Sequence, residues 1–212
     1  MGKDCPRRDG TMRMRVRHLI AFDTETTGFS ASRDQIIELA AVKFVPGVGE
    51  LDTFETLVNP GKSVPPEITE LTGLTDMDLF GAPQPLEAVQ RFLDWAGEET
   101  LFLAHNAVFD VRYLNRAFLD QGMFVPSIPV VDTLPWVRNL RLPVPDHKLQ
   151  TLLAHVGHDP GSAHRSLADA RGLSTLVSVL LQGEPDPIGV LLPWLVSARK
   201  PRPETSFDVV QR

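Results

Sequence analysis

Two carboxylates stand two residues apart at the end of a short apolar segment. Asp23 and Glu25 follow His18–Phe22, a run that predicts a buried strand continuing through both acids. Because successive side chains of a strand alternate between its faces, the two carboxylates leave the same face and repel each other unless a cation lies between them. A solvated strand end is the alternative, and the apolar run before the pair disfavours it. The pair is therefore a candidate metal site.

Two further acids and a histidine lie near the starts of predicted helices. Asp110 is in the first turn of a helix predicted over 107–122, where interaction with the helix dipole is a sufficient explanation for an acid. Asp169 is the third residue after Ser166 in a capping-box pattern, which predicts that Ser166 caps the next helix. His164 lies in the loop before this cap. Taken singly, none of the three indicates a function.

The four acids and the histidine together are the groups that hydrolysis of a phosphodiester by two metal ions requires. Several carboxylates hold two cations about 3.5–4 Å apart, and Mg²⁺ prefers oxygen ligands while keeping some of its water. A histidine with an ordinary pKa of about 6.5 can take a proton from the attacking water near neutral pH. The set predicts a phosphodiesterase in which one cation acidifies the water and the other stabilises the departing 3′ oxygen.

Apolar periodicity places these groups in a mixed sheet covered by helices, an α/β fold. Glu38, inside the second predicted strand, is interpreted as structural or electrostatic, and Asp132 as the cap of the helix that follows the last strand. Strands are predicted over 18–25, 36–45, 51–58, 101–104 and 130–131, and helices over 85–96, 107–122, 149–156 and 167–181.

Composition limits the classes of protein that fit. The chain has 212 residues, of which 42% are hydrophobic, and this suits one globular domain. The net charge of −6 argues against binding nucleic acid by phosphate neutralisation alone, an objection that weakens if metal ions meet the phosphates. The single cysteine, Cys5, excludes an internal disulfide framework and fits a cytoplasmic protein. No apolar run is long enough for a membrane span, and the basic N-terminus lacks the apolar region of a secretory signal.

Three motifs resemble those of a known enzyme family. FDTETTG (22–28), AHNAVFD (104–110) and HRSLADA (164–170) are similar to the exonuclease motifs of the DEDDh family, and the likeness runs from about residue 18 to residue 181. Within the family the sequence most resembles the epsilon proofreading subunit of bacterial DNA polymerase III. The step of five residues from His164 to Asp169 indicates the histidine branch, since the tyrosine branch would place Tyr where Arg165 stands.

The resemblance implies an RNase H-like fold, a central mixed sheet of about five strands flanked by helices. It implies 3′→5′ hydrolysis of single-stranded DNA from the 3′ end to nucleoside 5′-monophosphates, in proofreading or repair. His164 would be the general base, and the segment 72–74 would form a lip over the substrate. Two divalent cations, Mg²⁺ or Mn²⁺, would be held by Asp23, Glu25, Asp110 and Asp169, and the substrate would be contacted by Thr24, Thr27, Gly28, Thr72, Asn106 and Phe109.

Two alternatives stay open. One is an exonuclease of the same family that trims RNA or oligonucleotides, and the other is a non-catalytic adaptor that docks to a polymerase. The resemblance also leaves open whether a DNA polymerase catalytic subunit binds the chain, and no sliding-clamp motif is found. The predicted organisation is a basic flexible leader (1–17), an exonuclease domain (18–182) and a Pro-rich tail (183–212) whose apolar patch packs onto the domain or binds a partner.

Overall fold

A five-stranded mixed sheet forms the centre of the molecule, as the sequence predicts. The computed structural model describes residues 15–159 and 165–196, so most of the predicted leader and the last residues of the tail lie outside it. The strand order is β3-β2-β1-β4-β5, in which β1 pairs antiparallel with β2 and parallel with β4. The strands are β1 (His18–Thr26), β2 (Ile36–Val45), β3 (Gly49–Leu57), β4 (Thr100–Ala104) and β5 (Val130–Asp132).

Helices cover both faces of this sheet. The alternation of side chains along β1 sends Leu19 and Ala21 into one apolar core and Ile20 and Phe22 into the other. Residues of α2 and α3 fill the second core, whereas residues of α4 to α7 fill the first. The helices are α1 (Pro66–Thr72), α2 (Pro85–Ala96), α3 (Val108–Leu119), α4 (Thr133–Asn139), α5 (Leu149–His155), α6 (Ser166–Leu180) and α7 (Pro187–Leu191).

Two short helices were not predicted from the sequence. Helix α1 has Pro66 in its first turn and ends at Gly73, whose φ of 76° lies in the left-handed region that glycine adopts most easily. Ile68 of α1 and Leu74 pack into a small core of their own with Leu79. This core supports the segment 72–74, the predicted lip. Helix α7 is the other, and its five residues are too few to give a periodic pattern.

The chain after α7 returns to the edge of the sheet. Leu191 is fully buried in the core beneath α6. Leu195 forms an isolated antiparallel bridge with Val131, and the backbone N–H of Val196 donates to Val130 O at 2.7 Å. Residues 187–196 therefore pack onto the domain and cover the outer side of β5. Among the described helices, none is long and apolar enough to cross a bilayer.

Candidate metal centre

Three predicted ligands converge at the carboxyl end of β1. Asp23 and Glu25 project from the face that carries Ala21 and Leu19, and α6 packs against this face. Asp169, in the first turn of α6, lies opposite them. One carboxylate oxygen of each of the three residues lies within 4.8 Å of the others, a spacing that suits a shared cation. We refer to Asp23, Glu25 and Asp169 as the acidic trio.

Burial and repulsion from neighbouring acids disfavour the charged forms of Asp23 and Glu25. Burial raises the pKa of Asp23 well above its ordinary value, and the charges of Asp110 and Glu25 raise it further. Burial is also the main cause that raises the pKa of Glu25 to about 7, and the charge of Asp169 is the second cause. A divalent cation would offset this repulsion and bring both pKa values down. The electrostatics therefore favour a bound cation.

Asp110 lies beside the trio and comes from the other side of the sheet. It lies in the first turn of α3, the position that the sequence predicts, and it is buried. The hydroxyl of Thr24 donates to its Oδ1 at 2.7 Å, and Thr24 points to the face of β1 opposite Asp23. Burial is the main cause that raises the pKa of Asp110 to about 7. Strand β1 thus presents acids on one face and, on the other, the hydroxyl that orients the fourth acid.

The start of α6 differs from the predicted capping box. The N-cap is Arg165, which makes no side-chain cap, and the hydroxyl of Ser166 is buried with no hydrogen-bond partner in the described part of the chain. The prediction that Ser166 caps this helix is therefore wrong. The physical reason is that Glu38 of β2 supplies the acceptor instead, since the backbone N–H of Ser166 donates to Glu38 Oε2 at 3.0 Å. His164, the predicted base, lies outside the described residues.

Glu38 is more closely tied to the site than the sequence indicated. Its side chain is fully buried, and in the β1–β2 register it lies directly opposite Glu25. Arg165 donates to Glu38 Oε1 from Nε at 3.3 Å and from Nη2 at 3.0 Å. The signal in the sequence was an acid inside the apolar run IIELAAVKFV, but only the fold shows what neutralises it.

Two of the predicted substrate contacts, Thr27 and Gly28, lie in a tightly bonded turn after β1. The hydroxyl of Thr27 accepts from the Gln35 N–H at 3.1 Å, so this buried side chain is committed within the protein. The carbonyl of Gly28 accepts from the hydroxyls of Thr26 and Tyr113, both at 2.6 Å. A Cβ on Gly28 would lie 2.5 Å from a carboxylate oxygen of Asp34, which explains the glycine.

The other predicted contacts lie around the same end of the sheet. Asn106 is exposed and adopts a positive φ of 71°. The ring of Phe109 packs 5.0 Å from that of Tyr113, and its other neighbour is the exposed ring of Phe29, 6.4 Å away. Thr72 is buried and donates to Ile68 O, so its hydroxyl holds the end of α1. Of these three residues, Thr72 lines a groove of about 540 Å³, together with Gly73, Leu74, Glu38, Glu55 and Arg165.

The motifs, the fold and the acidic trio identify an exonuclease domain. A sequence model of the RNase T family, described as exonuclease, matches residues 20–176. The chain belongs to this family, and its five-stranded sheet is the RNase H-like fold of the DEDDh exonucleases. Both the predicted family and the predicted fold are confirmed.

Particular relatives fall into two groups. The chain is 39% identical over 163 residues to DNA polymerase III PolC-type of Bacillus cereus, a match that covers 77% of this chain and 11% of that protein. It thus spans about a tenth of the length of such relatives.

By fold the chain resembles E. coli Exonuclease I in complex with a dA16 oligonucleotide, with a TM-score of 0.71 and 17% identity. This match covers 80% of this chain and 42% of the Exonuclease I chain. The chain also resembles the nuclease domain of 3′hExo, a DEDDh family member bound to rAMP, with a TM-score of 0.70, 20% identity and coverage of 78% and 92%.

Proposed function

We propose that the chain is a 3′→5′ exonuclease that removes nucleoside 5′-monophosphates from the 3′ end of single-stranded DNA. The observation that carries this proposal is the acidic trio, with Asp110 beside it, at the end of β1. Asp23, Glu25, Asp110 and Asp169 would hold two divalent cations, and His164 would act as the general base. When bound, the cations would supply an acidified water and stabilise the departing oxygen.

The donor set fits such cations. All four groups are carboxylates, the ligands that Mg²⁺ and Mn²⁺ prefer. Among the described residues, no cationic side chain forms an ion pair with Asp23 or Glu25, and the charge of Arg165, which pairs with Glu38, lowers the pKa of Glu25 only in part. Burial, and after it repulsion from neighbouring acids, raises the pKa values of Asp23 and Glu25, and a cation between them would relieve the repulsion.

The chain's own residues would orient the ligands and the substrate. The hydroxyl of Thr24 fixes Asp110, and Gln150 donates to Asp169 Oδ1 at 3.0 Å. The groove beside Glu38 would receive the terminal nucleotide, with Thr72 and its neighbours as the lip. Asn106 and Phe109, which do not line this groove, would contact the substrate from the turn after β4 and the start of α3. Thr27 and Gly28 would contribute through the shape of their turn, since the Thr27 hydroxyl is already bonded.

Support for DNA as the substrate comes from the relatives. The sequence relatives are named DNA polymerase III PolC-type, which favours a role beside a polymerase in proofreading or repair. The E. coli Exonuclease I structure contains a DNA oligonucleotide. The second candidate is an RNA-trimming exonuclease, which the 3′hExo domain bound to rAMP favours. A matched pair of oligonucleotides separates the two candidates.

The test compares single-stranded DNA and RNA of one sequence, labelled at the 5′ end, with Mg²⁺ or Mn²⁺. We expect a ladder of products shortened from the 3′ end, release of 5′-monophosphates, and faster cleavage of the DNA. Asp23→Ala is the blank that excludes a contaminating nuclease. Faster cleavage of the RNA would support the second candidate. No digestion of either strand with either metal would contradict both and favour a non-catalytic adaptor.

A further inference from the structure

We infer that Glu38 is a positioning residue that holds the start of α6, and with it Asp169, against Asp23 and Glu25 before a cation binds. The inference rests on the proposed function of the trio as a metal site. In this role Glu38 binds neither a cation nor the substrate. The residue acts through Arg165 and Ser166.

The first observation is the complete burial of a charged group. Glu38 is 0% exposed, and a buried carboxylate is costly unless other groups satisfy it. Here one carboxylate accepts three hydrogen bonds, two from the guanidinium of Arg165 at 3.3 and 3.0 Å and one from the backbone N–H of Ser166 at 3.0 Å. Both oxygens of Glu38 are used.

The second observation is the place of these donors in the chain. Arg165 is the N-cap of α6 and Ser166 its first residue, so Glu38 caps the helix from a strand 128 residues away in sequence. Helix α6 makes no side-chain cap of its own. Asp169 lies in the first turn after this anchor. Because the first turn is where an uncapped helix frays most easily, Glu38 fixes the backbone that carries Asp169, whereas Gln150 orients its carboxylate with a hydrogen bond to Oδ1 at 3.0 Å.

The third observation is the repulsion within the trio. One carboxylate oxygen of Asp169 lies within 4.8 Å of an oxygen of Asp23 and of Glu25, so three acids with like charge share one small space. Without a cation, this repulsion pushes the start of α6 away from β1. Glu38 lies opposite Glu25 on β2, so its bonds pull the same helix end back towards the sheet. The ligands are thereby preorganised.

The structure provides a matched control on the same helix. Arg171, two residues beyond Asp169, donates to Glu50 of β3 from Nε at 3.1 Å and from Nη2 at 3.2 Å. This pair also ties α6 to the sheet through a two-pronged guanidinium contact. It is exposed and lies farther from the helix start, so it does not cap the turn that holds Asp169.

The test measures Mn²⁺ affinity of the full chain by calorimetry, with nuclease kinetics alongside. We expect Glu38→Gln to raise the Kd for Mn²⁺ by about 10-fold or more, the usual effect of losing a residue that orients metal ligands. Cleavage at limiting Mn²⁺ falls accordingly, and saturating Mn²⁺ restores part of kcat. Glu50→Gln keeps its Kd within about twofold. Wild-type affinity in Glu38→Gln, with only a lower melting temperature, would overturn the inference.

A milder pair covers the case in which Glu38→Gln does not fold. Arg165→Lys keeps the charge but loses the two-pronged contact, and Arg171→Lys is its control. We expect a weaker Mn²⁺ affinity for Arg165→Lys alone, and equal affinities would overturn the inference. Failure of the proposed function looks different. A folded wild-type chain that binds no Mn²⁺ overturns the metal site itself and the positioning role with it.

Discussion

Two parallel strands end in acids at the same edge of the sheet, yet the acids have different surroundings. At the end of β5, Asp132 accepts hydrogen bonds from the backbone N–H groups of Leu134 at 3.0 Å and Asn106 at 3.1 Å. At the end of β1, no described residue donates a hydrogen bond to the carboxylates of Asp23 and Glu25. The hydrogen bonds of Asp132 therefore stabilise the fold.

Hydrogen-bond donors distinguish an acid that stabilises the fold from a candidate metal ligand. Backbone donors satisfy Asp132, and it caps α4 as the sequence predicts. Asp23 and Glu25 have other acids as neighbours, and this arrangement is stable at neutral pH only with protons or cations present. An acid at a strand end is thus a candidate ligand when it lacks donors. Its position in the fold alone does not distinguish it from a helix cap.

The first prediction concerns Asp23 at the end of β1, where an alanine substitution should reduce cleavage more than any other change considered. Asp23→Ala should lower cleavage of a 3′ end by at least about 100-fold, since losing a metal ligand removes several kcal/mol of transition-state stabilisation. Its melting temperature in EDTA should not fall, because the variant removes a repelled acid. Cleavage rates and thermal unfolding of Asp23→Ala and the wild type check this. Undiminished cleavage by Asp23→Ala would contradict the assignment of β1 as the metal-binding strand.

The second prediction concerns pH without metal. The pKa of Glu25 is about 7 in the folded chain and 4.5 ordinarily, so the folded state binds more protons in this interval and stability falls as pH rises through it. In EDTA at pH 7.5, Glu25→Gln should melt above the wild type by on the order of 2–4 °C, and the gap should shrink at pH 5. His105, whose pKa is lowered by burial, acts in the opposite direction but is common to both proteins.

Adding Mn²⁺ completes this pH experiment. A ligand present at about 100 times its Kd stabilises the folded state by about 2.7 kcal/mol, so the wild type should overtake Glu25→Gln at pH 7.5. A gap that does not change with pH, or that Mn²⁺ does not reverse, would contradict the view that repulsion at the trio is relieved by cations.

The third prediction applies to the other strand end. Asp132→Ala should lower the free energy of unfolding by about 1–2 kcal/mol, the cost of losing a helix cap. Its Mn²⁺ affinity should stay close to that of the wild type. Chemical denaturation and calorimetry measure the two quantities. A large loss of Mn²⁺ affinity with unchanged stability would mean that the two strand ends are not as different as their hydrogen bonds indicate.

The smallest effect is expected at Ser166. If this residue capped α6, alanine would cost about 1 kcal/mol. Because its hydroxyl is buried without a partner in the described part of the chain, Ser166→Ala should change the free energy of unfolding by less than about 0.5 kcal/mol. If chemical denaturation shows that the free energy of unfolding falls by about 1 kcal/mol, Ser166 caps α6 after all. It would also weaken the assignment of Glu38 as the cap.

Sequence reasoning predicted the elements with strong periodicity and the acids within motifs. The bounds of β2 and α2 match the predictions, since ten- and twelve-residue patterns define a period. Helices α1 and α7 have seven and five residues, which are too few to define a period, and they were not predicted. The contact between Glu38 and Arg165 joins residues 127 apart, and no local pattern could have indicated it. The cap at Ser166 failed for the same reason, because a distant acceptor replaced a local one.

Strand β1 builds the site from both of its faces, with Asp23 and Glu25 on one and Thr24 on the other. A deletion of one residue before Asp23 that slipped the strand by one position would turn both acids towards α3 and the hydroxyl towards α6. The apolar residues of the strand suit either core, so such a slip could leave a foldable sheet with no active centre. Insertions and deletions in β1 should therefore be selected against more strongly than the substitution of its individual apolar residues.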